Sequence, residues 1–268
     1  MELKNSYIDA GKAFDFGRVS RDYAQYRDIY PKEFYDKIIS RNLCIEGQKV
    51  LDLGTGTGVL PRNLYHYGAK WTGTDISENQ IRQAERLSEE ANMNILYKTA
   101  AAEDLEFPDN TFDVITACQC FLYFDHKKLM PKLAHMLKPD GRLLLLYMAW
   151  LPFEDKIAGA SEALVLKYNP HWTGAGQIRC PIMIPNCVYE TFELVYQEEY
   201  DINVSFTKET WHGRMKACRG VGASLSQEEI AQWEQEHKKL LDSIAPERFD
   251  VLHYTSFMEL KPKIKDKN

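Results

Sequence analysis

The chain has no long apolar run, no cysteine pair of metal-binding spacing and no basic tract. Each absence excludes something. The longest apolar stretch, "LLLLYMAWL", falls well short of the roughly 20 residues needed to span a bilayer, and it reads as a buried strand. The opening "MELKNSYIDAGKAFDF" has no apolar core of signal-peptide length. Six cysteines fall at positions 44, 118, 120, 180, 187 and 218, and none makes a CxxC pair. That is a reduced, cytoplasmic pattern with no zinc framework, so no metal is expected. Acids and bases interleave along the chain and the net charge is −6, so a nucleic-acid footprint is not expected either. There is no internal repeat and no low-complexity tract; the lysine-rich end "KPKIKDKN" is expected to fray.

What is present is length and rhythm. With 268 residues, 44% of them hydrophobic, the chain can bury a sizeable core. From about residue 30 to 150, helix-like runs alternate with strand-like runs. "YPKEFYDKIISRNL", "VLPRNLYHYG", "SENQIRQAERLSEEAN" and "DHKKLMPKLAHMLKPDG" carry apolar residues at helical spacing, the third behind a serine cap. "QKVLDLG", "AKWTGTDI", "MNILYKTA", "FDVITACQC" and "RLLLLYMAW" are the strands. Near-continuous apolar strands in alternation argue for an α/β fold: a parallel, doubly wound sheet with helices on both faces. After Trp150 the rhythm breaks. Residues 151 to 190 show no clear period, "YETFELVYQEEYDINVSFT" reads as a strand or hairpin, two helices follow, and "FDVLHYTSFMELKP" reads as a closing strand.

"VLDLGTGTGVL", residues 50 to 60, is the informative stretch. A glycine loop after a strand cradles either a dinucleotide pyrophosphate or another nucleoside ligand, or is a bare strand-to-helix turn capped by a threonine. The pyrophosphate loop needs glycine at its first, third and sixth positions; here the sixth is Val59. Asp52 would also repel a pyrophosphate, and no basic residue sits in the loop to offset it. A ligand that is cationic where it meets Asp52 fits better, and S-adenosylmethionine has an ammonium, a sulfonium and no phosphate. Asp75 ends the second strand, where a carboxylate can grip both ribose hydroxyls. That feature is shared with NAD, so an NAD-dependent oxidoreductase is the runner-up, and a non-catalytic binding protein the third reading.

These residues resemble the class I S-adenosylmethionine-dependent methyltransferases, most closely the small-molecule enzymes called type 11. "VLDLGTGTG" matches their first motif, "TGTDIS" their acidic second, "AAAEDLEFPDNTFDVI" the third region and "LKPDGRLLLL" the fifth-strand signature. The likeness covers about residues 20 to 150. It implies a Rossmann-like seven-stranded sheet with a helical cap, arranged as lid helices over 1–45, a cofactor-binding core over 46–150, a substrate cap and closing strand over 151–250, and a final strand and tail over 251–268. It implies S-adenosyl-L-methionine as cofactor. Asp52, Gly54, Thr55 and Gly56 would line its methionine end, Asp75 the ribose and Ile76 the adenine. Ala102 would meet the adenine edge through its N–H, with Glu103 beside it, and Cys118 is counted among the cofactor-binding residues. Many relatives carry a polar residue where this chain has Ala101. In the lid helix, Tyr23, Tyr26 and Arg27 would face the cofactor carboxylate.

The methyl acceptor would approach the loop after strand four, "CQCFLYFDH", where Gln119 and Tyr123 are the positioning candidates; Asp125 is read as a helix N-cap. "WHGRMKACRGVGASLS" carries Arg214 and Arg219 and is similar to segments of trans-aconitate methyltransferases, so the pair is expected to hold an acidic acceptor by bidentate hydrogen bonds. The expected partner is therefore a small molecule, with a carboxylic acid as one candidate class, and neither nucleic acid nor membrane.

Overall fold

The computed structural model describes residues 3–4 and 6–263. The lysine-rich end expected to fray therefore lies, from residue 264 on, outside the described residues. Helices and strands follow in the order α1 (Ser20–Tyr26), α2 (Lys32–Ser40), β1 (Lys49–Leu53), α3 (Val59–Leu64), β2 (Lys70–Asp75), α4 (Glu78–Glu90), β3 (Leu96–Thr99), β4 (Phe112–Cys118), α5 (His126–Met136), β5 (Leu137–Trp150), α6 (Lys156–Tyr168), α7 (Asn186–Tyr189), β6 (Phe192–Thr207), α8 (Lys208–Lys216), α9 (Gln227–Ile244) and β7 (Arg248–Pro262).

The seven strands form one sheet in the order β3-β2-β1-β4-β5-β7-β6. β1 pairs in parallel with β2 and with β4, β2 with β3, and β4 with β5. This is the doubly wound, Rossmann-like α/β sheet expected from the alternating pattern. The order turns back between β1 and β4. In open α/β sheets that switch point leaves a crevice at the carboxyl ends of the two strands. Leu53 pairs with Ala117 there, so the residues that follow each strand flank one crevice.

The chain packs as two compact units. One comprises Tyr30–Met148, Cys180–Tyr200 and Thr255–Asn268, the other Met1–Ile29, Ala149–Arg179 and Asp201–Tyr254. In the first, Leu51, Leu53, Ile115, Leu143 and Leu145 of the central strands pack with Leu129, Met130 and Leu133 of α5 in a dry core. The local signals behave as their chemistry requires. Ser77 accepts the Gln80 N–H at the start of α4, and Asp125 accepts the Lys128 N–H at the start of α5. Gly68 ends the turn after α3 in a left-handed conformation, φ 86°.

The second unit is largely helical. α6, a 13-residue helix within the stretch that shows no clear period, starts at Asp155, whose carboxylate accepts the Ile157 and Ala158 N–H groups. Its apolar residues are spread around the helix, and so give no one-sided stripe. β6 is one continuous strand rather than a hairpin. Trp211 and Trp233 are fully buried. Trp211 Nε1 donates to Ser161 Oγ, 2.9 Å away, and His237 Nε2 lies 2.9 Å from the same hydroxyl. His237 Nδ1 lies 2.9 Å from His212 Nδ1, with Trp233 stacked on both rings. Burial pushes the pKa of His237 down to about 3.

Candidate active site

The first unit carries the glycine loop at the switch point. β1 delivers Asp52 to the interior, 2% exposed, where its Oδ1 accepts the Thr116 hydroxyl from β4 at 2.5 Å. Among the described residues no basic side chain lies within ion-pair distance of Asp52. Burial, with Asp75 adding a smaller push, raises its pKa to about 6 against the pull of the Thr116 hydrogen bond. A buried carboxylate without a protein cation is costly, and a cationic ligand group removes that cost.

Gly54, Gly56 and Gly58 all adopt left-handed backbone, with φ of 57°, 56° and 74°. A Cβ on Gly54 would come within 2.7 Å of Cys120 Cβ and 2.9 Å of Cys120 Sγ, so only glycine lets the loop lie against the end of β4. Cys120 is tied down by its thiol, which donates to the Leu53 carbonyl at 3.0 Å. The loop is also tied to β2. Thr55 N donates to the Thr74 carbonyl at 2.8 Å, Gly56 N to Asp75 Oδ2 at 2.9 Å, and Ser77 N to Asp75 Oδ1 at 2.8 Å. Asp75 thus clips the loop to the start of α4, and each of its oxygens retains a second lone pair. Burial raises its pKa, partly offset by those two backbone bonds. Ile76, beside it, is half-buried.

After β3, Ala102 is buried at the start of a 3-10 turn over Ala102–Asp104. The Glu103 carboxylate accepts the Asp125 N–H at 2.7 Å, and its carbonyl accepts Lys132 Nζ at 2.6 Å. Its acid therefore braces the loop after β4, beyond the adenine-edge role that the resemblance implies.

That loop holds the feature the sequence reading missed. Tyr30, stacked on Phe34 at 4.4 Å, places its hydroxyl 3.1 Å from Gln119 Nε2 and 3.3 Å from Cys118 Sγ, both donating to it. Gln119 Nε2 also donates to the Met148 carbonyl at 2.8 Å, and Gln119 N to the Leu146 carbonyl at 2.8 Å. Gln119 adopts φ 63°, an unusual backbone for a non-glycine residue. Tyr123 lies in the following 3-10 turn, half-buried. A tyrosine directly before Pro31 was a visible signal, but its partners are far along the chain.

Tyr23, Tyr26, Arg27, Arg214 and Arg219 lie in the other unit. The Arg27 guanidinium sits 4.7 Å from the Tyr23 ring centroid. Arg214 is 3% exposed and lies 4.9 Å from the centroid of Trp150. Arg219 follows α8 in a turn. Its Nε pairs with Asp9 Oδ2 at 2.9 Å and its Nη2 donates to the Thr173 hydroxyl at 2.9 Å. Asp9, 1% exposed, takes the Thr173 N–H and hydroxyl on its other oxygen. Arg219, expected with Arg214 to hold an acidic acceptor, thus has a carboxylate of the chain itself facing its guanidinium. Trp172, 5% exposed, packs against Gly220.

Residues 50–141 match the family described as "Methyltransferase domain". The ubiquinone biosynthesis O-methyltransferase of Bradyrhizobium diazoefficiens is 31% identical over 150 residues, 55% of this chain and 58% of that protein. The crystal structure of the YcgJ protein from Bacillus subtilis aligns with a TM-score of 0.52 at 19% identity, covering 87% of this chain and all of that one. The [4+2]-cyclase SpnF aligns with a TM-score of 0.51 at 20% identity, over 86% of this chain and 80% of its own. The chain spans about half the length of the curated relatives it matches. At these identities the two solved structures speak for the fold.

Proposed function

We propose that this chain, whose core is a class I S-adenosylmethionine-dependent methyltransferase domain, transfers a methyl group from S-adenosylmethionine to a small-molecule acceptor. The observation that carries the reading is Asp52: a buried carboxylate at the switch point with no basic partner among the described residues. It suits the cofactor's ammonium and opposes a pyrophosphate. Asp75 supplies lone pairs for the ribose hydroxyls. Gly54, Thr55 and Gly56 give backbone access to the methionine end, and Ile76, Ala102, Glu103 and Cys118 border the nucleoside. Roles for Tyr23 and Arg27 toward the cofactor carboxylate rest on the family resemblance alone.

When bound, S-adenosylmethionine supplies a methyl group already activated by a sulfonium. The protein's task is then to align the acceptor, exclude water and orient its lone pair. Gln119 and Tyr123, on the loop after β4, are the residues we assign to that alignment. A relative that methylates oxygen in ubiquinone biosynthesis supports a small organic acceptor. The carboxylic-acid class drew its support from Arg214 and Arg219, and the ion pair of Arg219 with Asp9 takes half of that support away. No helix among the described residues is long and apolar enough to cross a membrane. Cysteine usage favours the cytoplasm as the place of action.

Calorimetry tests the reading. S-adenosylmethionine and S-adenosylhomocysteine should both bind, and NAD should not. Binding of NAD without S-adenosylhomocysteine would replace the methyltransferase with an oxidoreductase.

A further inference from the structure

The hydrogen bonds of Gln119 fix more than its position. A primary amide has two N–H donors on one end and an acceptor oxygen on the other. The Met148 carbonyl can only accept, so the nitrogen must be the end that faces it, at 2.8 Å. The second N–H goes to the Tyr30 hydroxyl at 3.1 Å. Both donors are therefore spent. Among the described residues no hydrogen bond reaches Gln119 Oε1. The side chain is half-buried, and it follows β4 at the switch-point crevice, beside the Cys120 that lies against Gly54.

We propose that Gln119 Oε1 selects the methyl acceptor, and that it selects a group carrying its own hydrogen, a hydroxyl or an N–H, over a carboxylate. This rests on the methyltransferase reading and names its acceptor class. An O–H or N–H donates to the amide oxygen. A carboxylate has no hydrogen to give and meets a partial negative charge. The amide cannot rotate to offer its N–H instead without abandoning Met148 and Tyr30 together. Its backbone cannot easily yield either, because the left-handed conformation at Gln119 is held by its N–H bond to the Leu146 carbonyl. Tyr30 acts as a positioning residue: stacked on Phe34, it holds the second N–H and keeps the amide plane fixed. For a hydroxyl acceptor, an oxygen lone pair forms the new O–C bond to the methyl carbon. The C–S bond breaks with its electron pair passing to sulfur, which becomes a neutral thioether, and the hydroxyl proton passes to water. Gln119 takes no proton; it turns the O–H aside so that the lone pair faces the methyl.

The test uses the full chain, methyl-labelled S-adenosylmethionine and four probes: catechol, aniline, benzoate and N,N-dimethylaniline. The wild type should favour catechol over benzoate, or aniline over its dimethyl counterpart, by about tenfold or more in kcat/KM, because a site that pairs a substrate hydrogen discriminates against the analogue lacking it. Gln119→Leu removes the amide. Gln119→Asn shortens it and tolerates the left-handed backbone better, which keeps the fold. Both should lose about tenfold to a hundredfold with the favoured probe and erase the preference, while S-adenosylhomocysteine affinity stays within about twofold. Tyr30→Phe should raise KM with a smaller change in kcat and keep part of the preference. Equal or better methylation of benzoate or N,N-dimethylaniline by the wild type overturns the inference. So does a Gln119→Asn enzyme that keeps its preference while binding S-adenosylhomocysteine normally. A wild type that binds no S-adenosylhomocysteine is a separate result; it defeats the methyltransferase reading and this inference with it.

Discussion

Gly56 donates its N–H to Asp75 Oδ2 at 2.9 Å, while the other oxygen of the same carboxylate holds Ser77 N. One acid therefore sets the glycine loop and the start of α4 together, at the place where a ribose would be gripped. Asp75→Ala should weaken S-adenosylhomocysteine binding by roughly 1.5–3 kcal/mol through lost charge-assisted bonds. It should also lower thermal stability, since two backbone donors lose their partner. Calorimetry and a melting curve check both, and unchanged affinity would remove Asp75 from the site.

Asp52 gives a pH signature. Burial raises its pKa to about 6, above the ordinary value of 3.8. The folded state thus holds this proton more tightly than the unfolded chain. Its contribution to stability is full below pH 4 and is lost as pH rises through 6. Binding has the opposite slope, because only the ionised acid attracts the cofactor's ammonium. S-adenosylhomocysteine affinity should fall by about tenfold per pH unit below 6 and be level above 7. Calorimetry from pH 5 to 8 should show this slope in the wild type and not in Asp52→Asn.

Gly54 and Gly47 make a controlled pair. Both have positive φ, 57° and 85°, but a Cβ at 54 would strike Cys120, while a Cβ at 47 would meet nothing within 4 Å. Gly47→Ala should cost about 1–2 kcal/mol in urea unfolding, from backbone conformation alone. Gly54→Ala should cost more and lose S-adenosylhomocysteine binding. Adding Cys120→Gly should recover part of both. If Gly54→Ala unfolds and binds like Gly47→Ala, the loop does not lie against Cys120.

Asp9 and Arg219 form a buried pair, and breaking such a pair leaves an unmatched charge. Arg219→Ala should destabilise by about 3–5 kcal/mol. Asp9→Ala should do the same, and the double variant should be far less damaged than the sum. Lysine should restore Arg219 poorly, because it cannot serve Asp9 and Thr173 from one planar fork. Additive losses in urea unfolding would show that the two residues do not stabilise each other.

His237 should set the acid limit of stability. Its folded pKa of about 3 lies below the ordinary 6.5, mainly because of burial, with His212 adding to it. The stability this neutral ring contributes is present above pH 6.5 and is lost as pH falls toward 3. His237→Gln should cost stability at pH 7 yet show a flatter loss between pH 6.5 and 4 in urea titrations. An unchanged acid slope would assign the transition to the carboxylates.

By itself the sequence determined whatever depends on neighbours a few residues apart. The apolar strands, the caps at Ser77 and Asp125, and a loop whose glycines sit between an acid-bearing strand and a helix are all local, because strand pleat, helix turn and capping bonds close within about four residues. The acid at Asp75 was legible for the same reason, as the last residue of a strand whose end the pattern marks. The tertiary structure alone decided the partners of long side chains. Tyr30 meets Gln119 across 89 residues of chain, Asp9 reaches Arg219 from the opposite end of the sequence, and Glu103 turns to the Asp125 N–H. Such pairs leave no periodic trace, since a hydrogen bond between distant residues depends on how the strands order in the sheet and which loops that order brings side by side. An amide's two ends look alike in the sequence. Only the fixed carbonyl of Met148 tells the nitrogen of Gln119 from its oxygen.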